Sequence, residues 1–298
     1  MQNDKLLNYL HLHFIVFIWG FTAVLGALIS IEAIPLVWYR MLLASLFVLL
    51  FIAVKRDSLV LPWKVIAAFC FIGLLIAMHW FAFFAAIKSS NVSITLAMMS
   101  TGAFFTSILE PIFFKRKVKA YEVIMGLIVV LGLYIIFNIE SGYFYGIVLG
   151  LSSAFLGALF AVLNGKYAGK YSASVISFYE LFFGMICLTI YLLFTNGFTK
   201  NFFSLSEADI WYLFILASIC TAYAFIASLH IMKWLSPYTV MLTVNLEPVY
   251  GIILALLILD DAEYMSPQFY MGAIIILITV IINGYIKTRR KKGGITNT

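Results

Sequence analysis

The chain has 298 residues, 64% of them hydrophobic and only 11% charged. Soluble domains carry about 25% charged residues, so a soluble fold is excluded and an integral membrane protein is expected. The net charge of +6 is no nucleic-acid footprint, because the positive residues fall into the short segments between apolar runs.

Ten apolar runs follow one another to the end of the chain: 13–31, 34–54, 64–87, 91–114, 121–138, 143–164, 174–195, 210–232, 238–259 and 268–286. Each approaches the roughly 20 residues that cross about 30 Å of hydrocarbon as a helix. With the connections assigned to alternate sides, sixteen Lys and Arg residues fall on one side and two, Lys88 and Lys200, on the other. The positive-inside rule then makes both termini cytoplasmic. The first run is full-length and lacks a small-residue cleavage site, so it is expected to remain as a span. Cys70, Cys187 and Cys220 all lie inside apolar runs and form neither a disulfide framework nor a metal-ligand spacing. No metal or cofactor is expected.

Span one carries Trp19, Thr22 and Gly26 on one helical face, and span two holds Arg40 about a turn and a half from the outer surface. Span three contains His79 and Trp80. Span four runs TLAMMSTGAFFTSILEP, with Thr95, Met99, Gly102 and Thr106 on one face. Span six has two rows of small residues, Gly146-Gly150-Ala154 and Ser153-Gly157-Ala161-Gly165, which let helix backbones approach closely. Span seven carries Glu180, and span eight a stripe of Tyr223, Ala227 and His230.

Span nine is the least ordinary. Its middle reads VNLEPVYG, Val244 to Gly251. An ionised carboxylate at Glu247 would cost about 2.5–3.5 kcal/mol at the centre of a spanning helix. Pro248 has no N–H and crowds the preceding turn, so the Val244 carbonyl is expected to lose its helical partner. A freed carbonyl, a carboxyl and the Asn245 amide are tolerable at that depth only beside protein or a water-filled cavity. The segment is therefore expected to line a pathway. Asn245 and Glu247 differ by about 200° around a regular helix, so only distortion at Pro248 would aim both into one cavity.

The second half echoes the first. A shift of 146 residues sets Met125–Ile136 over Met271–Ile282, and a shift of 140 sets Val37–Ala44 over Ser177–Gly184. With five spans in each half the halves must lie inverted in the membrane, as in many secondary transporters that bind substrate near the midplane. The expected fold is an all-α membrane protein of ten transmembrane helices in two inverted five-helix repeats, 1–140 and 141–298.

The IWG of span one, the Arg of VWYRM, the paired halves and the LEPVYG…DDxE…MGA pattern of spans nine and ten together resemble the EamA-type transporters of the drug/metabolite superfamily. The resemblance implies an inner-membrane exporter of amino acids or small metabolites. It also implies a central cavity lined mainly by spans one, three, four, six, eight and nine. The chain departs from the family pattern at Phe113–Glu122, where a basic run stands in place of an acidic residue after span four. No role tied to that acid is carried over.

On this reading Trp19, Thr22, Met99 and Tyr223 are walls of a substrate cavity, or else plain packing residues. Glu247 either exchanges a proton during the cycle or stabilises a kink. His79 relays protons or holds a substrate carboxylate, tasks its imidazole suits, or it is a neutral residue bonded to a neighbouring helix. Asn245 is the further candidate contact. Arg40 is expected to snorkel outward or cap a neighbouring helix. The expected partners are a small metabolite such as an amino acid, protons and the bilayer, with no nucleic acid. The competing reading is a membrane enzyme or accessory protein acting on lipid-linked substrates. Its motif support is thin: there is no HExxH or GxSxG, and Asn164-Gly165-Lys166 lacks the rest of a phosphate-binding loop.

Overall fold

A computed structural model of the chain describes residues 2–115, 120–235, 240, 243–244, 246–259 and 263–293. The candidate Asn245, the basic run 116–119, Ser236 and the acidic pair at 260–261 lie outside them. Among the described residues the chain is helical, without a strand: α1 Gln2–Leu28, α2 Ala33–Lys55, α3 Trp63–Ser89, α4 Val92–Met99, α5 Gly102–Phe114, α6 Ala120–Ile139, α7 Phe144–Asn164, α8 Ala173–Phe194, α9 Glu207–Ala217, α10 Ala224–Ile231, α11 Glu247–Ile258 and α12 Pro267–Gly293. A π-helical turn, Ser218–Tyr223, joins α9 to α10.

Among the described residues, seven helical stretches are long and apolar enough to cross a bilayer: Leu7–Leu28, Ala33–Lys55, Trp63–Ser89, Val92–Phe114, Ser141–Asn164, Ala173–Phe194 and Glu207–Ile231. Three further apolar stretches, Val123–Ile139, Glu247–Ile258 and Pro267–Thr279, are shorter. Large apolar side chains such as Leu50, Val54, Leu127, Leu193 and Leu257 stand on the outside. That distribution suits a hydrocarbon solvent, and the protein is a multi-pass membrane protein.

Local chemistry sets the helix ends. Pro62 precedes α3, and Pro248 and Pro267 lie in the first turns of α11 and α12, where a missing N–H leaves no bond unmade. The Asn91 side chain caps α4 by accepting the Ile94 N–H at 2.8 Å. Ser206 and Asp209 form a reciprocal capping box at the start of α9. Asp57, after α2, accepts from the Ser172 and Ser174 hydroxyls at 2.8 and 2.6 Å. Those two bonds, Ser174 first, hold the Asp57 carboxyl below its ordinary pKa.

The most extensive helix contacts run between the two halves of the chain. Helix α3 packs on α7 and α8, α1 on α11, α4 on α7 and α11, α2 on α8 and α9, and α6 on α12. Three of these crossings have glycine facing glycine, the α6–α12 pair being Gly132 and Gly272, and two are the closest. A Cβ on Gly20 would lie 2.9 Å from the Gly251 nitrogen, and one on Gly184 would lie 2.7 Å from the Gly73 carbonyl oxygen. With no side chain at either point the backbones of α1 and α11, and of α3 and α8, come into direct contact. The main apolar core and two smaller clusters beside it each draw on both halves.

Candidate functional site

Three helices are interrupted, and a residue at or beside each interruption (Met99, Thr221 and Glu247) lines one cavity. Between α4 and α5 the Ser100 and Thr101 hydroxyls turn back to the Ala97 and Met98 carbonyls, at 2.6 and 2.7 Å. In the π turn, Thr221 Oγ1 donates to the Leu216 carbonyl at 2.7 Å. The third interruption is the start of α11. The Leu246 N–H bonds the Thr243 carbonyl, and the helix begins at Glu247 with Pro248 in its first turn. Pro248 thus opens a helix instead of kinking a continuous one. Glu247 sits where the helix's unpaired N–H groups favour a carboxylate. Broken helices are tolerated at membrane depth where they line a cavity, and π turns concentrate at functional sites.

A cavity of about 90 Å³ lies between these breaks, room for about three waters. The first half contributes Trp19 and Thr22 from α1, Arg40 from α2, His79, Trp80 and Phe83 from α3, and Met99 from α4. The second half contributes Gly157, Phe160 and Asn164 from α7, Cys220 and Thr221 from the π turn, Phe225 from α10 and Glu247 from α11. Of the residues singled out in the sequence, Trp19, Thr22, His79, Met99 and Glu247 come together here.

Tyr223 does not join them. It is 43% exposed and lines a separate groove with Ala227 and His230. The stripe was sound, but its facing was not. The π turn adds a residue to the helix, and each residue advances the face by about 100°.

Arg40 is the principal residue that sequence reasoning assigned elsewhere. It is 3% exposed and does not snorkel. Its Nε donates to Thr221 Oγ1 at 2.7 Å, and its guanidinium carbon lies 3.8 Å from the Trp80 ring centroid. The Thr221 hydroxyl thus accepts from Arg40 and donates to Leu216, which ties α2 to the π turn. One Arg donor group is used, and four N–H bonds remain for other partners. The cavity holds this cation and the Glu247 carboxyl within one apolar, largely aromatic wall.

His79 is fixed by α7. Its Nδ1 is 2.8 Å from the Ser153 carbonyl and 2.9 Å from Ser153 Oγ, and that hydroxyl donates to the His79 carbonyl at 3.0 Å. A carbonyl only accepts, so Nδ1 carries the proton and Nε2 is the acceptor. Gly157 makes room for the ring, since a Cβ there would be 3.2 Å from its Cε1. The bond to α7 and the place in the cavity wall hold together. Asn164, also unremarked as a site residue in the sequence, donates from Nδ2 to Glu180 Oε2 at 3.2 Å. Asn164 Oδ1 and Glu180 Oε1 are buried without a hydrogen-bond partner among the described residues. Of the two, Asn164 lines the cavity.

The two ends of the cavity differ. At the end carrying the α1–α2 turn, the Ser30 N–H and hydroxyl both bond Asp209, each at 2.7 Å. Lys88 Nζ donates to the Ile29 carbonyl at 2.9 Å. Glu263 accepts from the Val92 and Ser93 N–H groups, both at 2.9 Å. These contacts tie the helix ends together on that side. The lining extends the other way, through Asn164, Leu229 and Met232.

The profile of the EamA-like transporter family matches residues 8–138 and, separately, 144–285. A Clostridium kluyveri protein named an uncharacterized transporter is 26% identical over 206 residues, spanning 66% of this chain and 65% of that protein. The match thus spans just under two thirds of the relative's length. A crystal structure 14% identical in sequence has a TM-score of 0.66 over 92% of this chain and 96% of its own, so the fold is shared.

Proposed function

This chain belongs to the EamA-like transporter family, and we propose that it exports small zwitterionic metabolites, amino acids foremost, as a proton-coupled secondary transporter. The observation that carries the reading is the cavity shared by the two halves, with an arginine and a glutamate in an aromatic wall. Arg40 suits a substrate carboxylate, since a guanidinium pairs with one through two parallel bonds. Glu247 suits the ammonium group, and Trp19, Phe83, Phe160 and Phe225 suit a short apolar side chain. Glu247 exchanges the coupling proton, and His79 relays it through Nε2.

The seven long spans and three shorter apolar helices read together as ten crossings. They form two inverted repeats, 1–140 and 141–298, which the two separate family matches support. The repeats rock about the cavity, and the polar contacts at one end stand for the closed gate of one end state. The sixteen-to-two division of Lys and Arg supports a topology with both termini in the cytoplasm, in a cell's inner membrane. The open direction of the lining then faces the cytoplasm, the side from which an exporter loads.

The test is uptake of labelled amino acids and small metabolites into proteoliposomes, with and without an imposed pH gradient, for wild type and Glu247→Gln. The expected result is gradient-driven accumulation that the variant loses while keeping counterflow. Transport indifferent to pH, with an unaffected variant, would make Glu247 structural and the protein a facilitator. Chemical change of the solute would instead favour an enzyme.

A further inference from the structure

A second, larger hollow lies on the opposite side of α10 from the cavity. Helix α10 presents Phe225, Ser228 and Leu229 to the cavity and Ile226, Ala227 and His230 to this groove. The helix therefore separates the two, and the groove is no vestibule of the site already described. Its volume is about 560 Å³, several times that of the cavity.

The groove has two kinds of wall. Phe47 and Phe51 of α2, Tyr223 at the end of the π turn and Ile226 of α10 make an apolar side. Lys55, at the end of α2, Lys233, just after α10, and His11 and His230 make a cationic side. Asp57 also faces it, with the Ser172 and Ser174 hydroxyls both on its Oδ2, at 2.8 and 2.6 Å. Even with both histidines neutral, two ammonium groups face one carboxylate. The Lys55 ammonium is 5.7 Å from the Phe51 ring centroid, folded back along its own helix toward the groove. His11 Nε2 is 2.8 Å from the Tyr223 hydroxyl, which closes the groove between α1 and the π turn.

The two walls are ordered along the membrane normal. From Lys55 back to Phe47 is eight residues of helix, about 12 Å. The cations therefore sit where α2 and α10 end, at the level of headgroups, and the aromatic wall runs inward at the level of acyl chains. A free anion would use the cationic end and leave the apolar length empty. From this ordering we propose that the groove binds a phospholipid with an anionic headgroup. Its phosphate would sit between Lys55 and Lys233 and one acyl chain would lie along Phe51, Phe47 and Ile226. A lipid seated there braces the back of α10, whose front lines the cavity, so its presence would bear on transport.

The test is native mass spectrometry of delipidated protein with dioleoylphosphatidylglycerol, dioleoylphosphatidylcholine or inorganic phosphate. Phosphatidylglycerol should be retained at least tenfold more than phosphatidylcholine, and the Lys55→Gln/Lys233→Gln double variant should lose that preference. Ile226→Trp, which fills the chain-binding wall without touching the cations, should lower retention of the lipid and decides the matter if the double variant does not fold. Equal retention of both lipids, a preference that survives in the double variant, or full retention in Ile226→Trp would overturn the proposal. Phosphate that binds as tightly as phosphatidylglycerol and displaces it would make the groove a site for free anions and overturn the lipid.

Discussion

Replacing Arg40 by Gln isolates what the buried cation does for the substrate. The Gln amide can still donate to the Thr221 hydroxyl, so the link from α2 to the π turn is kept in kind. The contact with Trp80, at 3.8 Å, is lost as a cation–π interaction, worth about 2 kcal/mol or more when desolvated, and the variant should unfold at a lower temperature than wild type. What cannot be kept is a charge-assisted pair with a substrate carboxylate. Hydrogen bonds to charged groups contribute about 1.5–3 kcal/mol, and at 1.4 kcal/mol per decade the loss is about 10- to 150-fold in affinity. The assay is counterflow of a labelled amino acid into proteoliposomes, with the unlabelled amino acid and its carboxamide as competitors. Wild type should prefer the carboxylate by that factor, and Arg40→Gln should treat the two alike. An unchanged preference in the variant would refute the assignment of Arg40 to the substrate carboxylate.

Thr221→Val leaves the Leu216 carbonyl and Arg40 Nε without their partner; a loss of about 1–3 kcal/mol is expected for a buried polar group so stranded, read as a lower unfolding midpoint in detergent. Glu263→Gln puts an amide N–H2 against one of two helix N–H donors. It should cost about 1.5–3 kcal/mol by the same measurement, whereas a midpoint like that of wild type would mean the α4 cap is dispensable. Gly251→Leu forces a side chain into the contact with α1, where even a Cβ lies 3.1 Å from the Gly20 carbonyl oxygen. Overpacking of about 1–3 kcal/mol or more should appear as loss of the monodisperse peak in size-exclusion chromatography. Asp57 has its pKa lowered in the fold by the Ser174 and Ser172 hydroxyls, so its stabilising effect is complete above the unfolded value of about 3.9 and is lost as pH falls through the folded one. The midpoint difference between wild type and Asp57→Asn should therefore be constant from pH 7 to pH 5 and shrink progressively as pH falls below the unfolded value of about 3.9.

The long spans were legible because each apolar run has the length of a bilayer crossing and is bounded by Pro, Asn, Ser or basic residues. The interruptions in spans four and eight were not, since a hydroxyl that turns back to a carbonyl at Ser100, Thr101 or Thr221 leaves no periodic trace. Pro248 was visible but ambiguous, because the same residue kinks a helix interior and opens a helix start. Glu247, His79, Thr22, Trp19 and Met99 were legible as polar or aromatic residues on helical faces. Arg40 was misplaced because its partners, Trp80 and Thr221, are distant in sequence, and a charge near a helix end defaults to the interface. Asn164 was met only as part of a failed phosphate-loop match, yet it ends α7 beside Glu180. Tyr223 shows the limit of stripe reasoning, since one added residue in the π turn re-aims everything after it.

The central claim is that one cavity is exposed to each side of the membrane in turn, and Cys220 tests it most directly. It lines the cavity and is 1% exposed, and with Cys70 and Cys187 changed to Ser it is the sole thiol. A membrane-impermeant thiol reagent should label it from either side of reconstituted vesicles, and a transported substrate should slow both reactions. Labelling from one side only, at a rate that substrate does not change, would contradict alternating access.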